Sequence, residues 1–296
     1  MKLPNVEHLL AFRKKGGEIL SPALIKQKYK FEPDGTNQYY AIDHTNALGL
    51  QQAGSALNLT QRAPFDDLLS ALIDGGASEK TIVLGLEPDV VVKNKKKDYL
   101  YDTVAGHTQL LEKLADEIAE IQGEATDAGK KLNVVMRYAS EMNDTKLNHA
   151  AMVGGYKSTF AHVRAIFKQR APNAQFSFSP ALRADLTVPP ILDFWPGNDL
   201  VDIVAGSWYI GAETQRADSI QHMKTYFIDR KAAGKPFGLS EIGGCNASNK
   251  GNDAVLKTMF AELAGMEHQG GTFRYVTIFL EDKWGADATL SFVPPG

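Results

Sequence analysis

A repeated switch between two hydrophobic periods constrains this chain more than any other feature. From about residue 80 onward, short apolar runs alternate with amphipathic stretches in which apolar residues recur every three or four positions. The first pattern is typical of a β-strand and the second of an α-helix. Strands that are joined through helices pair in parallel. The sequence therefore predicts an α/β protein with a mostly parallel sheet.

The predicted elements are numerous enough to close a barrel. After residue 80 the predicted strands cover residues 81–86, 133–138, 175–179, 201–205, 236–240 and 275–280, and helices cover 103–128, 156–170, 220–233 and 254–268. Before it, strands are predicted at 18–24 and 38–43 and a helix at 64–73. Eight strands predict a (β/α)8 TIM barrel, with residues 1–296 as a single domain.

An open, doubly wound sheet is the main structural alternative to the barrel. That fold usually carries a glycine-rich phosphate loop directly after a strand. The Gly-Gly pairs at 154–155, 243–244 and 270–271 do not have the spacing of such a loop. The pattern therefore favours the barrel.

Composition excludes several classes of partner. The 32 basic and 35 acidic residues leave a net charge of -3, whereas nucleic-acid-binding domains usually carry a basic excess. No run approaches about 18 apolar residues, so we predict no membrane partner. The N-terminus has no apolar segment typical of a signal peptide. The oligomeric state and the compartment stay open.

Cysteine and histidine give no sign of a metal centre. Cys245 is the single cysteine, so no intrachain disulfide can form. The seven histidines show neither H-x-H nor H-E-x-x-H spacing, which are spacings that zinc enzymes use. We therefore predict that the protein requires neither a metal ion nor an organic cofactor.

Two glutamates follow predicted strands directly. Glu141 comes after the run NVVMRYAS, and Glu241 comes after PFGLS. In a parallel barrel, catalytic groups lie at the carboxyl ends of the strands. A pair of carboxyl groups, one protonated and one ionised, is what hydrolysis of a glycosidic bond requires. For either glutamate alone, a structural salt bridge is the alternative interpretation.

Several segments resemble, in order, the motifs of glycoside hydrolase family 26. VMRYASEMN resembles the family's W-R-P-L-H-E-M-N, and KPFGLSEIG resembles K-P-x-x-x-x-E-F-G. VLGLEP, FSFSP, WPGNDLVDIVAGSWY and VTIFLED are similar to its third strand, its W-S-P segment, its Y-P-G-D motif and its last strand. The resemblance covers roughly residues 80–285. It implies a barrel with catalytic glutamates on strands four and seven.

The resemblance also implies roles for the matching residues. Glu141 would be the general acid/base of a retaining glycoside hydrolase, and Glu241 its nucleophile. Tyr209 matches the family's tyrosine that hydrogen-bonds the nucleophile. Arg137 lies four residues before Glu141 and points inward by strand alternation, so it is expected to orient a carboxylate. An ion pair in the barrel core is the alternative for Arg137.

Further residues are candidates for contact with a sugar. Sugars present CH faces that stack on aromatic rings and hydroxyls that need polar partners. The candidates for stacking are Tyr138, Trp208 and Trp284. The candidates for hydrogen bonds to hydroxyls are Glu87 and Asn143. Packing in the core or at the rim is the alternative for each of them.

The sugar pocket departs from the family pattern. Ser140 stands where the family has a histidine that contacts the sugar. Ile278 stands at the position of its tryptophan on the last strand, and Ser207 or Trp208 replaces an aspartate. The two glutamates are retained while their surroundings differ.

Together these features predict a retaining, endo-acting hydrolase of a β-linked polysaccharide or oligosaccharide. Mannan, mixed-linkage glucan and xylan are all compatible with the resemblance. Such a substrate suggests an extracellular site of action. The alternative is a catalytically silent barrel of the same family, which would act as a glycan-binding or structural module in a virion or a surface assembly.

Overall fold

The chain folds around a sheet of parallel strands. The computed structural model describes residues 6–12, 14–15, 18–19, 35–41, 78–88, 90–93, 96–144, 152–182, 190–210, 216–230, 234–244, 253–266 and 273–279. The strands of the sheet are β1 (Val6–Phe12), β2 (Gly35–Ala41), β3 (Glu79–Glu87), β4 (Lys131–Tyr138), β5 (Gln175–Phe178), β6 (Ile203–Ile210), β7 (Phe237–Gly244) and β8 (Phe273–Phe279). All lie parallel to their neighbours, which confirms the predicted parallel α/β architecture.

The strands pair in chain order. From β3 to β8, every strand is hydrogen-bonded to the strand before it and the strand after it. β2 pairs with β3, and β1 pairs with both β2 and β8. The described strands therefore form a closed sheet, and the carboxyl ends of all of them lie at the same rim.

Helices cover the outside of this sheet. Those in the described part of the chain are α1 (Thr108–Asp127) after β3, α2 (Val153–Arg170) after β4, α3 (Arg216–Arg230) after β6 and α4 (Asp253–Gly265) after β7. Short 3-10 helices span Tyr101–His107 and Ile191–Phe194. None of the described helices has the length and apolar character needed to cross a membrane.

The sequence of α1 explains both its packing and its end. Its buried residues recur at helical spacing and form one face: Leu111, Leu114, Ala115, Ile118, Ile121, Gln122 and Ala125. Gly129 follows the helix with φ of +69°. Lys130 N–H then donates to Ala125 O at 2.8 Å, and Gly129 N–H donates to Thr126 O at 2.9 Å. This pair of bonds is the Schellman ending that a glycine at this position favours.

The amino-terminal prediction was partly wrong. The first strand is β1 (Val6–Phe12), not residues 18–24. The apolar run of β1 is short and basic residues follow it at once, so its strand pattern is weak. Glu18–Ile19 instead pairs antiparallel with Lys14–Lys15. The strand predicted at 38–43 begins earlier, as Gly35–Ala41. The helix predicted at 64–73 lies outside the described residues.

An antiparallel hairpin follows β3. Val90–Lys93 pairs with Lys96–Tyr99, and the basic run at residues 93–97 spans their connection. Charged side chains on a strand discourage its pairing with further strands. The second hairpin strand brings Tyr99 back to the rim of the barrel, which matters for the site below.

Two apolar regions hold the barrel together. The larger one lies between the strands and the helices. The smaller one lies inside the sheet and consists of Val83, Val135, Ile203, Ala205 and Tyr275. Above it, towards the carboxyl ends of the strands, the buried side chains become polar: Arg137, Ser177, Ser179, Ser207 and Ser240. The interior is therefore apolar at its base and hydrogen-bonded near the rim.

Gly238 of β7 makes room for the ring of Tyr275 inside the barrel. A Cβ atom at Gly238 would lie 2.8 Å from two ring carbons of Tyr275. Gly238→Ala is expected to lower the free energy of unfolding by about 1–3 kcal/mol, because the enclosed ring has little space to retreat. Gly123→Ala is the control, since Gly123 lies on the exposed face of α1 and an added Cβ there meets nothing within 4 Å. That control is expected to stabilise by about 0.5–1 kcal/mol. Equal midpoints of denaturant unfolding for the two variants would contradict this packing.

Candidate active site

Arg137 lies inside the barrel near the carboxyl ends of the strands. Its side chain is fully buried. Nε donates to Ser179 Oγ at 3.0 Å, and Nη2 donates to Ser207 Oγ at 2.5 Å. Nη1 forms an ion pair with Oε1 of Glu241. A buried guanidinium is tolerated when its charge and its N–H groups are matched in this way.

A β-bulge in β7 aims Glu241 at Arg137. Gly206 pairs with Leu239, but Ser207 pairs with Glu241, so Ser240 is the extra residue. Successive side chains of a regular strand point to opposite faces. The bulge relaxes this rule, and both Ser240 and Glu241 make contacts inside the barrel.

The carboxylate of Glu241 is held at both oxygens. Oε1 is paired with Arg137, and Oε2 accepts a hydrogen bond from the hydroxyl of Tyr209. Only 6% of Glu241 is exposed. An opposite charge and a hydrogen-bond donor both stabilise the ionised form of a carboxyl group. The surroundings of Glu241 therefore suit a carboxylate anion.

Glu141 reaches the same rim from a strained turn after β4. Ala139 and Glu141 have φ of +49° and +54°, a region that residues other than glycine rarely adopt. The turn is fixed because the N–H of Glu141 donates to Ser179 O at 3.0 Å and its carbonyl accepts from Asp144 N–H at 2.8 Å. Strain of this kind is often kept at functional sites.

The electrostatics of Glu141 differ from those of Glu241. Glu141 is half-buried, and loss of solvation, followed by the negative charge of Glu241, raises its pKa from 4.5 to about 7. Arg137 and a hydrogen bond from Ser207 act in the opposite direction, while Asp144 adds to the rise. At neutral pH, therefore, a substantial share of Glu141 carries a proton. The two carboxyl groups are electrostatically coupled and have unlike environments.

Glu87 lies at the neighbouring strand end and is also buried, with 6% exposed. Its Oε1 accepts from Ser140 Oγ at 2.5 Å, and its Oε2 is bound by the hydroxyl of Tyr99. The hydroxyl of Tyr99 also lies 2.8 Å from the carbonyl oxygen of Ser140. The hairpin, β3 and the turn after β4 therefore meet at these three residues.

Two predicted stacking residues face away from the site. Tyr138 is fully buried, stacks on Tyr156 at 6.1 Å and donates to Thr159 Oγ1 at 2.8 Å. Trp208 is fully buried and its Nε1–H donates to Ser219 Oγ at 3.0 Å. Both predictions were wrong, because strand alternation directs Arg137 and Tyr209 inward and therefore directs these two neighbours towards α2 and α3.

The side-chain amide of Asn143 is hydrogen-bonded to the backbone and does not face an open site. Its Nδ2 donates to Ala181 O at 2.9 Å, and its Oδ1 accepts from Ala181 N–H at 2.7 Å. Only 2% of the residue is exposed. These two bonds tie the turn after β4 to the segment after β5, so Asn143 supports the rim. The predicted contact from Asn143 to a sugar hydroxyl is not favoured by this arrangement.

Trp284 and Cys245 lie outside the described residues. Within the ranges that the structure describes, no three residues among His, Cys, Asp and Glu form a group that could hold a metal ion. Sequence reasoning missed Ser179, Ser207 and Tyr99. The serines at alternate positions in FSFSP are a signal of polar residues facing the interior, whereas the approach of Tyr99 has no local signal.

Fold and site together define a class: an α/β barrel with two coupled carboxyl groups at the ends of its fourth and seventh strands. No protein-family model and no curated protein sequence matches the chain. Several solved structures have a similar fold.

A glycoside hydrolase family 26 β-mannanase from Bacteroides ovatus is similar, with a TM-score of 0.63 and 16% identity over 93% of this chain and 81% of that one. The catalytic domain of a family 26 endo-β-1,4-mannanase from Bacillus sp. JAMB-750 gives a TM-score of 0.62 and 18% identity over 97% of this chain and 79% of that one. A family 26 protein from Muricauda sp. gives 0.62 and 14%, over 92% and 79%. The resemblance read from the motifs is thus confirmed for the fold, which is family 26-like.

The proton on Glu141 is expected to make stability depend on pH. Its pKa in the folded chain, about 7, lies above its ordinary value of 4.5, so the folded state binds the proton more tightly. This contribution is fully present below pH 4.5 and is lost as pH rises through 7. Glu141→Gln keeps a neutral side chain at every pH. The difference in melting temperature, Glu141→Gln minus the parent chain, is expected to be more positive at pH 8.5 than at pH 5. A difference that does not change with pH would contradict the raised pKa.

Removal of one partner from the buried ion pair is expected to be costly. Arg137→Met leaves Glu241 buried without its counter-charge and is expected to lower the free energy of unfolding by about 3–5 kcal/mol. Arg137→Met combined with Glu241→Gln is expected to recover about 1–3 kcal/mol of that loss. Arg170→Met, which breaks an exposed ion pair with Asp116, is the control and is expected to have a far smaller effect. Strictly additive losses in denaturant titrations would contradict the coupling.

Proposed function

We propose that the protein is a retaining glycoside hydrolase in which Glu141 is the general acid/base and Glu241 is the nucleophile. The observation that carries this proposal is the pair of unlike carboxyl environments at one rim of the barrel. Glu141 has a pKa raised to about 7, whereas Glu241 is bound by Arg137 and Tyr209. Two such carboxyl groups are the chemical requirement for glycoside hydrolysis.

In the first step, a carboxylate oxygen of Glu241 attacks the anomeric carbon. The bond from that carbon to the glycosidic oxygen breaks, and Glu141 transfers its proton to the departing oxygen. Both changes are favoured by the starting charges, since Glu141 begins protonated and Glu241 begins ionised. The product is a glycosyl ester on Glu241 and a free leaving sugar.

In the second step, Glu141 acts as a base. It takes a proton from water as the water oxygen bonds to the anomeric carbon, and the ester bond to Glu241 breaks. Cleavage of the ester restores the Glu241 carboxylate, and the proton taken from water leaves Glu141 protonated as at the start. Two inversions leave the configuration at the anomeric carbon unchanged. A separation of about 5–5.5 Å between the two carboxyl groups would fit this route.

A β-linked mannan or mannooligosaccharide is the substrate that we propose first. The similar solved structures are described as β-mannanases and endo-β-1,4-mannanases. Mixed-linkage glucan and xylan are the next candidates, because Ser140 replaces a sugar-contacting histidine of the family pattern. Action within the chain of the polysaccharide is part of the same proposal, and an open groove above the rim is what it requires.

The proposed enzyme is one domain that spans residues 1–296. Closure of the sheet by β1 and β2 supports a complete (β/α)8 barrel. Trp284, which follows β8 in the sequence and lies outside the described residues, is the aromatic residue that we propose for stacking on the sugar. No metal ion or organic cofactor takes part in this mechanism.

Glu241→Ala tests the nucleophile. We expect its kcat/KM on a soluble β-mannan to fall by at least about 10³-fold, because the ester can no longer form. Sodium azide can occupy the space left by the carboxylate and attack in its place. Added azide is therefore expected to restore turnover and to yield a glycosyl azide of inverted configuration, which NMR can identify.

Glu79→Ala is the matched control for that experiment. Glu79 lies at the amino end of β3, where it accepts a hydrogen bond from Asn133 at 2.7 Å, on the rim opposite the site. It is expected to keep the activity of the parent chain. Full activity of Glu241→Ala would refute the mechanism. Binding of glycans by the parent chain without release of reducing ends would instead support the silent glycan-binding module.

A further inference from the structure

The turn that carries Glu141 is held from the side facing the hairpin. Ala139 N–H donates to Leu86 O at 2.9 Å, which continues the pairing of β4 with β3. Beyond it, the side chain of Ser140 donates to Glu87, and the hydroxyl of Tyr99 reaches both Glu87 and the carbonyl oxygen of Ser140. One residue of the turn is therefore fixed through its side chain and through its backbone at once.

We propose that Glu87 and Tyr99 are positioning residues that lock Ser140 and thereby hold Glu141 in the orientation needed for proton transfer. This inference rests on the proposed function of Glu141 and adds the residues that fix its orientation. Neither residue needs to touch the substrate. Ser140, which departs from the family's histidine, becomes the link between this pair and the acid.

The backbone of the turn explains why such a lock is needed. Ala139 and Glu141, on either side of Ser140, both have positive φ. Positive φ is unfavourable for residues other than glycine, so an isolated turn would relax to ordinary angles. Relaxation would swing the side chain of Glu141, because its Cα–Cβ direction follows φ and ψ. Contacts at Ser140 oppose that motion directly.

The contacts of Glu87 fit positioning better than contact with a sugar. Both of its carboxylate oxygens are engaged by protein hydroxyls, and the residue is buried. Tyr99 and Tyr101 belong to one aromatic cluster, with ring centroids 5.9 Å apart. The Tyr101 hydroxyl is buried and has no hydrogen-bond partner. The two tyrosines thus share an environment but differ in their contacts to the turn.

The protonation of Glu141 reports the position of the turn. The charged groups that act on it are Glu241 from β7, Arg137 from β4 and Asp144 from its own loop, and Ser207 of β6 donates to it. The hydroxyl of Tyr209 donates to Glu241. Relaxation of the turn would move the carboxyl group of Glu141 away from these charged groups and towards water. Because burial is the first cause of its raised pKa, the pKa is then expected to fall towards its ordinary value.

The test uses three single substitutions in the full chain. Tyr99→Phe removes the hydroxyl that reaches Glu87 and Ser140, and Ser140→Ala removes the bond to Glu87 from the other side. Tyr101→Phe is the matched control, since it removes a buried hydroxyl from the same cluster. Ser140→Thr keeps a hydroxyl at the turn and serves as the conservative rescue. Thermal melts establish which variants fold, and either of the first two suffices.

The first readout is the titration of Glu141 by NMR of chains labelled with ¹³C at the glutamate carboxyl, with Glu141→Gln used for assignment. In Tyr99→Phe or Ser140→Ala we expect the pKa to fall by at least about one pH unit, which is a tenfold loss of proton affinity. Tyr101→Phe and Ser140→Thr are expected to match the parent chain. An unmoved titration in a folded Tyr99→Phe or Ser140→Ala variant would overturn the positioning role.

The second readout separates this inference from the proposed function. In the same variants kcat/KM on β-mannan is expected to fall at least about tenfold above pH 6, because less of Glu141 is protonated. If the parent chain hydrolyses no glycan but the titration still moves, the proposed function fails and the positioning role stands. If the parent chain is active and the titration is unmoved, the positioning role alone fails.

Discussion

The buried ion pair between Arg137 and Glu241 is the interaction on which the rest of the site depends. A charge of either sign inside the barrel would be unstable alone, and the pair makes both tolerable. The remaining N–H groups of Arg137 then recruit Ser179 and Ser207. Those serines border the turn that carries Glu141. One buried guanidinium thus organises the interior of three neighbouring strands, together with the carboxyl group on β7.

The two carboxyl groups acquire different proton states from the same network. Glu241 takes the direct bond to Arg137, so its negative charge is stabilised at short range. The pKa of Glu141 is raised first by burial and next by the negative charge of Glu241, and these two effects outweigh the lowering by Arg137. A bulge in one strand and a strained turn after another produce this difference. Irregular backbone at two strand ends is therefore part of the chemistry.

Sequence reasoning succeeded where the signal was local. The strands that lead into Glu141 and Glu241 are apolar runs with clear ends, so β4, β7 and the position of both glutamates at the rim could be predicted. It failed at β1, where basic residues follow a short run, and at Tyr138 and Trp208, where the phase of alternation was not fixed. The contacts of Tyr99 with Glu87 and Ser140 join residues 12 and 41 positions apart. Such contacts arise from the folding of the hairpin onto the rim and leave no pattern in the sequence.

The central claim is that Glu241 forms a covalent bond with a sugar, while Glu141 donates a proton to the leaving oxygen and then accepts one from water. Incubation with an activated 2-deoxy-2-fluoro β-glycoside slows the second step and traps that bond, and mass spectrometry of the digested protein locates it. We predict a single added glycosyl mass on the peptide that contains Glu241. Hydrolysis of the natural polysaccharide with no trapped adduct, or with an adduct on another residue, would contradict the account.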